Sequence, residues 1–206
     1  MSSSLVGSEM CIRDRGMSRA LALHENLSGE LNMKRVVTGH NEQGKSVFVE
    51  VAEPDHVVEA PGMTWREIWA TFPDTKVPLN PDYKAEHKSR WTSIFPAVGS
   101  TRVRIVQFDP DNREADDTEE AIQRMQSELP GMMEHMEPGT GGMHTTDSVD
   151  YGILLEGTMR LELDDGEVVD LEAGDVVVQN GTRHAWHYTS KCTIAWILIG
   201  VPREGS

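Results

Sequence analysis

An all-β sandwich or barrel is the fold class this sequence predicts, on three observations. Between Gly139 and Tyr188, short apolar strand patterns alternate with turn signals at close intervals. Met159, Leu161 and Leu163 alternate with Arg160 and Glu162, the period-two pattern of a half-buried strand. Asp165-Gly166 follows at once as a hairpin turn, and Val168 to Leu171 returns.

Taken in order, the chain opens on a stretch that does not read as native protein. Met10 to Arg15 resembles a translated sequencing-library adapter, so residues 1–32 are expected to be a non-native or disordered tail. Met17 and Met33 are the candidate starts. Residues 33–206 then form one domain. Val36-Val37 and Val47 to Val51 flank His40 to Lys45, a hairpin with a Gly-containing loop, and His40 and His56 read as loop or surface residues. After Pro61-Gly62, Met63 to Trp69 is a strand or a helical turn whose two Trp pack. Thr71 to Pro96 is rich in Pro, Asp and Lys and reads as a long extended loop pinned by Trp91 and Phe95.

Arg102 to Phe108 is a strand with Val103, Ile105 and Gln107 on one face. An acidic insert follows. Asp116-Asp117-Thr118 can cap one short helix, with Ile122, Met125 and Leu129 at helical spacing and Pro130-Gly131 as its stop. Methionines crowd the segment up to Met143, either as connector packing or as a lid. Glu172 to Asp175 is a turn, Val176 to Val178 a buried strand, and Thr193 to Val201 a closing apolar strand.

Composition narrows the function. The chain has 206 residues and a formal net charge of −15, which disfavours nucleic acid and anionic membrane surfaces as partners. No apolar run approaches the roughly 20 residues of a membrane span. Its two cysteines, Cys11 and Cys192, make no disulfide framework, so a cytoplasmic location is expected, with Cys192 a buried structural thiol.

The stretch from Gly139 to Tyr188 resembles the two sequence motifs of the cupin superfamily. His144, Asp150 and Gly157 fall at the places of the first motif, with Thr146 where a second His is usual and Asp150 where Glu is usual. Gly174, Gly181 and His184 match the second, with Gln179 in place of Pro. The blocks Asp147 to Gly152 and Gln179 to Trp186 are similar to a subgroup of small bacterial cupins, itself similar to the cupin-domain oxidoreductases of fungal polyketide clusters. The resemblance implies a cupin-type double-stranded β-helix, a jelly roll, with a barrel core at 132–201 and an N-terminal β extension. It also implies a homodimer through the β-sheets.

Within a strand, residues two apart share a face. His144, Thr146, Ser148 and Asp150 therefore point one way, and His184, Trp186 and Tyr188 share a face elsewhere, with His187 off it. The jelly roll implied by the resemblance brings those strands together. His144, Asp150 and His184 are then the expected ligands of a divalent metal, Fe(II), Mn, Ni or Zn. Thr146, Trp186 and Tyr188 are the expected supporting or substrate residues. Arg183 is placed to meet either an anionic substrate or a surface carboxylate.

Three readings follow. One is a metal-dependent oxidoreductase or dioxygenase acting on a small organic substrate in the barrel. Another is a metal-free isomerase or lyase with His144 or His184 as general acid or base. The third is a non-catalytic small-molecule-binding module.

Overall fold

The period-two patterns become eleven strands among the described residues of the computed structural model, which are 33–60, 62–112 and 119–204. The expectation for residues 1–32 lies outside them. The first hairpin pairs β1 (Arg35–His40) with β2 (Ser46–Ala52) as expected. Its loop is closed by Asn41, whose side-chain oxygen accepts the backbone N–H of Gln43 and of Lys45 at 3.0 and 2.9 Å.

Two further antiparallel sheets make the jelly roll. The larger orders its strands β3-β4-β5-β11-β6-β9, where β3 is His56–Ala60, β4 Met63–Thr71 and β5 Thr101–Phe108. In the same sheet β6 is Ser148–Glu156, β9 Val176–Asn180 and β11 Cys192–Gly200. The smaller orders β10-β7-β8, with β7 Thr158–Glu162, β8 Val168–Glu172 and β10 Ala185–His187. The core lies between them: Val58, Trp65, Val106, Leu154 and Ile194 from the larger sheet meet Met159 and Leu171 from the smaller. Each such aliphatic or aromatic side chain contributes about 1.5–3 kcal/mol on burial.

The β7–β8 turn follows its sequence signal. Asp165 and Gly166 take φ of 59° and 74°, the left-handed pair that tight hairpins favour. Gly157, between β6 and β7, is required for two reasons. Its φ is 78°, and a Cβ there would sit 2.3 Å from the Lys191 carbonyl oxygen.

Some expectations change. Val176 and Val178 of the edge strand β9 are exposed rather than buried. The stretch 71–96 is not wholly extended, because Tyr83–Ser89 forms helix α1 with Tyr83 buried. Lys84, Ala85, Glu86 and Lys88 are good helix formers, and that local preference prevails between the flanking prolines. The insert carries α2 (Glu119–Glu128) and a single further turn, α3 (Met132–His135), so the described residues hold three α-helices rather than one. The proposed cap at 116–118 lies outside the described residues.

Strand β5 turns its charged face inward. Arg102 and Arg104 are 4% and 2% exposed alongside Val106, while Val103 and Ile105 are only half-buried. Alternation shows that two faces differ, not which one faces the core. Between the sheets Arg104 meets Glu67 of β4, its register partner, with Nε 3.5 Å from Oε2. Cys192 is fully buried, as expected, and burial beside Glu156 pushes its thiol up to about 11.

Candidate metal and substrate site

His144 and His184 lie outside the named strands yet are held by a two-residue bridge. The N–H of each donates to the carbonyl of the other at 2.9 Å, which places the two side chains on one face. Met136 bridges His144 from the other side. The imidazole centroids are 4.2 Å apart. The strands could not be joined at this point by sequence alone, since the histidines are 40 residues apart.

Both rings are anchored in the same way. His144 Nδ1 lies 2.9 Å from the Gly142 carbonyl oxygen and His184 Nδ1 2.9 Å from that of Thr182. A carbonyl oxygen can only accept, so each Nδ1 carries the proton and each neutral ring keeps its Nε2 lone pair free. Burial pulls both imidazoles below the usual histidine value. His184, which also feels His144, comes down to about 4. Both are therefore neutral near pH 7, the state in which imidazole binds metal.

These rings open into a cavity of about 260 Å³. Thr146, Asp150, Trp186 and Tyr188 line it with them, so every residue expected at the site from the sequence reaches one cavity. Asp150 is 5% exposed and its Oδ1 has no hydrogen-bond partner. Burial pushes its carboxyl up, against the opposing influence of Ser148, Arg104 and Thr146. Thr146 is buried and its hydroxyl accepts from Ser148 Oγ at 3.1 Å. Among the described residues, no three His, Cys, Asp or Glu side chains cluster closely enough to hold a metal together. The two imidazoles make a pair. Asp150, one methylene shorter than the Glu usual at its place, shares the cavity without completing a triad.

His187 points away, its Nε2 2.6 Å from Glu162 Oε2. Arg183 is fully engaged by carboxylates: Nε and Nη2 reach Glu137 at 2.7–2.9 Å, and Nη1 reaches Asp164 at 2.6 Å. That clamp ties the methionine-rich connector to the segment bearing His184. Met132 and Met136 of the connector form part of the cavity wall.

Sequence reasoning missed Arg104, Trp65 and Trp196, all of which line the cavity. Arg104 lies over the Trp65 ring, 4.3 Å from its centroid, and its Nη2 donates to the Ile94 carbonyl. Trp196 had one signal in the sequence. Gly152 sits opposite it in register, and a Cβ there would come within 2.5 Å of the indole. Glycine inside a strand marks such a close approach.

Comparison with known proteins agrees with this architecture. Residues 132–200 match the model of the cupin domain family. The cupin-domain-containing oxidoreductase virC of Hypocrea virens is 28% identical over 172 residues, 80% of this chain and 74% of that protein. The cupin-domain-containing oxidoreductase srdD of Neurospora crassa is 27% identical over 173 residues, with 80% and 74% coverage. Phomopsin biosynthesis cluster protein C' of Diaporthe leptostromiformis is 50% identical over a shorter span of 52 residues, 25% of this chain and 28% of that protein. The paired antiparallel sheets, the bridged histidines and the matched segment together identify residues 132–200 as a cupin domain.

Proposed function

We propose that the chain is a metal-dependent cupin oxidoreductase that acts on a small, largely apolar organic substrate held in the His144–His184 cavity. The observation that carries this reading is the matched pair of imidazoles, each locked by an Nδ1–H···O=C hydrogen bond with Nε2 left free. Outer hydrogen bonds of this kind orient histidine ligands in metal sites. His144 and His184 would hold the metal. Asp150, whose buried Oδ1 is unpartnered, supplies negative charge in the same cavity. The donor set suits Fe(II), Mn(II), Ni(II) or Zn(II), and the oxidoreductase class comes from the relatives' names.

A bound metal of this type supplies Lewis acidity or one-electron chemistry. The chain's own residues do the rest. Trp186, Trp196 and Tyr188 offer flat apolar walls for a substrate ring or chain, and Met132 and Met136 keep water from one side. Arg104 is the buried cation nearest to hand for an enolate or carboxylate oxygen. The absence of a three-ligand cluster among the described residues favours one alternative, a metal-free acid–base enzyme using the neutral imidazoles and the Asp150 carboxyl.

Metal analysis of protein purified without an affinity tag tests the choice. Near-stoichiometric first-row metal, lost in His144→Ala and His184→Ala, is the expected result. Metal-free protein that cannot be loaded anaerobically with any of the four ions would leave the acid–base reading in its place. We propose, too, that the chain works as a homodimer, since Val36, Phe48 and Val51 of the first hairpin are 50%, 73% and 54% exposed.

A further inference from the structure

We propose that a second cavity, separate from the His144–His184 site, binds an aromatic carboxylic acid whose carboxylate is received by Arg102. This cavity has a volume of about 640 Å³ and is bounded by β3, β4, α1 and the inner end of β5. Arg102 and Arg104 are two residues apart on the same inward face of β5. Arg104 lines the first cavity and Arg102 the second. The Arg104–Glu67 pair lies between, because Glu67 lines the second cavity from β4.

Arg102 is a buried cation without a counter-ion. It is 4% exposed, and among the described residues no carboxylate oxygen lies within the 4.0 Å of an ion pair. Its Nη1 donates to the Thr101 carbonyl at 3.2 Å, while its Nε is buried with no acceptor. Two of the acidic groups around the cavity are turned to other cations. Asp55 pairs with Arg35 at 2.9 Å and with Lys84 at 3.2 Å. Glu67 Oε2 accepts from Trp65 Nε1 at 3.2 Å and faces Arg104. Glu128 lies near His56, and no ion pair joins it to Arg102. Burial pulls the Arg102 guanidinium below its usual value, which the charge of Glu67 only partly offsets. A buried, unpaired charge is costly, and a guanidinium presents the planar fork that matches a carboxylate.

The walls select the rest of the ligand. The Arg102 guanidinium carbon lies 5.4 Å from the Phe72 ring centroid and 5.6 Å from that of Trp91. Trp69 and His87 continue the aromatic surface, 4.7 Å apart edge to face. Glu67 Oε1, buried and without a donor, is the acceptor for a ligand hydroxyl or N–H. Arg35, Lys84 and Lys88 add further cations to the lining. An aryl acid satisfies all of these features together, and an apolar ligand alone would leave both orphaned atoms unmade.

Isothermal titration of the full chain with 6-bromo-2-naphthoate and with the uncharged 6-bromo-2-naphthamide tests the assignment. The acid is expected to bind at least tenfold more tightly than the amide. Arg102→Gln should bring the acid down to the amide's affinity, and His184→Ala should leave acid binding unchanged. Equal affinity for acid and amide, no binding of the acid, or its loss in His184→Ala would each overturn the proposal. Should Arg102→Gln fail to fold, a crystal of the wild-type chain with the acid decides. Bromine anomalous signal in the cavity beside Arg102 supports the site; signal only between His144 and His184, or none, refutes it.

Discussion

His144 and His184 face each other across a single antiparallel bridge, each donating its main-chain N–H to the other's carbonyl at 2.9 Å. The bridge fixes their backbones, and the Gly142 and Thr182 carbonyls fix their rings. Two imidazoles held at both levels have little freedom left to lose on binding a ligand, which is the basis of preorganisation. Thr146, at the usual place of another histidine, instead accepts a hydrogen bond from Ser148.

Loading with a divalent metal should raise the melting temperature. At a hundredfold excess over the dissociation constant, the gain is about 2.7 kcal/mol, or roughly 5–10 °C for a chain of this size. His184→Ala should abolish the shift. His187→Ala should retain it, because His187 turns away to Glu162. Differential scanning fluorimetry under anaerobic conditions reads both.

Glu67→Gln should destabilise the chain by about 3 kcal/mol, because it leaves the Arg104 guanidinium buried without its charge partner. Asp170→Asn breaks an ion pair with Arg160 that is open to solvent, and should cost far less. Urea denaturation of the two variants side by side gives the comparison. Equal losses would show that the buried pair contributes no more than the exposed one.

Gly157→Ala and Gly166→Ala differ only in what surrounds the new methyl. Both glycines have positive φ, so each change costs about 1–2 kcal/mol in backbone strain. At Gly166 the methyl meets nothing within 4 Å, whereas at Gly157 it meets main-chain atoms at 2.3 and 2.8 Å. Gly157→Ala should therefore lower the melting temperature well beyond Gly166→Ala.

Acid should loosen the contact between the first hairpin and α1. Burial opposes the charge on Glu50, but hydrogen bonds from Lys84, Arg35 and Tyr83 outweigh it and hold the carboxyl down at about 2. A depressed carboxyl contributes stability that is full above its unfolded value of about 4.3 and is lost as pH falls toward 2. The stability difference between wild type and Glu50→Gln should shrink across that window. A difference independent of pH from 5 to 2 would contradict this.

Light scattering at micromolar concentration should give twice the 23.0 kDa chain mass. Phe48→Glu should return the mass to that of the monomer, since Phe48 is the most exposed aromatic residue of the hairpin. A monomeric wild type would remove the homodimer proposal.

The sequence by itself determined what local chemistry controls. Asp165-Gly166 specified a turn because few residue pairs accept positive φ twice in succession. Parity put His184, Trp186 and Tyr188 on one side of the chain and His187 on the other, and the cavity receives the first three. Where a helix competed with a loop, at Tyr83–Ser89, proline and aspartate at the flanks masked a locally favourable run.

Only the tertiary structure decided which face of β5 is inside. Val103 and Ile105 are the more apolar side, yet Arg102 and Arg104 point between the sheets. Burying a guanidinium is tolerable only where acceptors and rings from other parts of the chain surround it. For Arg104 these are Glu67, Ile94 and Trp65, and for Arg102 they are Thr101, Phe72 and Trp91. Most of those neighbours are distant in sequence, so no local pattern announces them. The same holds for Asp150: its type and position are plain in the sequence, but whether its carboxyl reaches the imidazole pair depends on a few ångströms of packing between sheets.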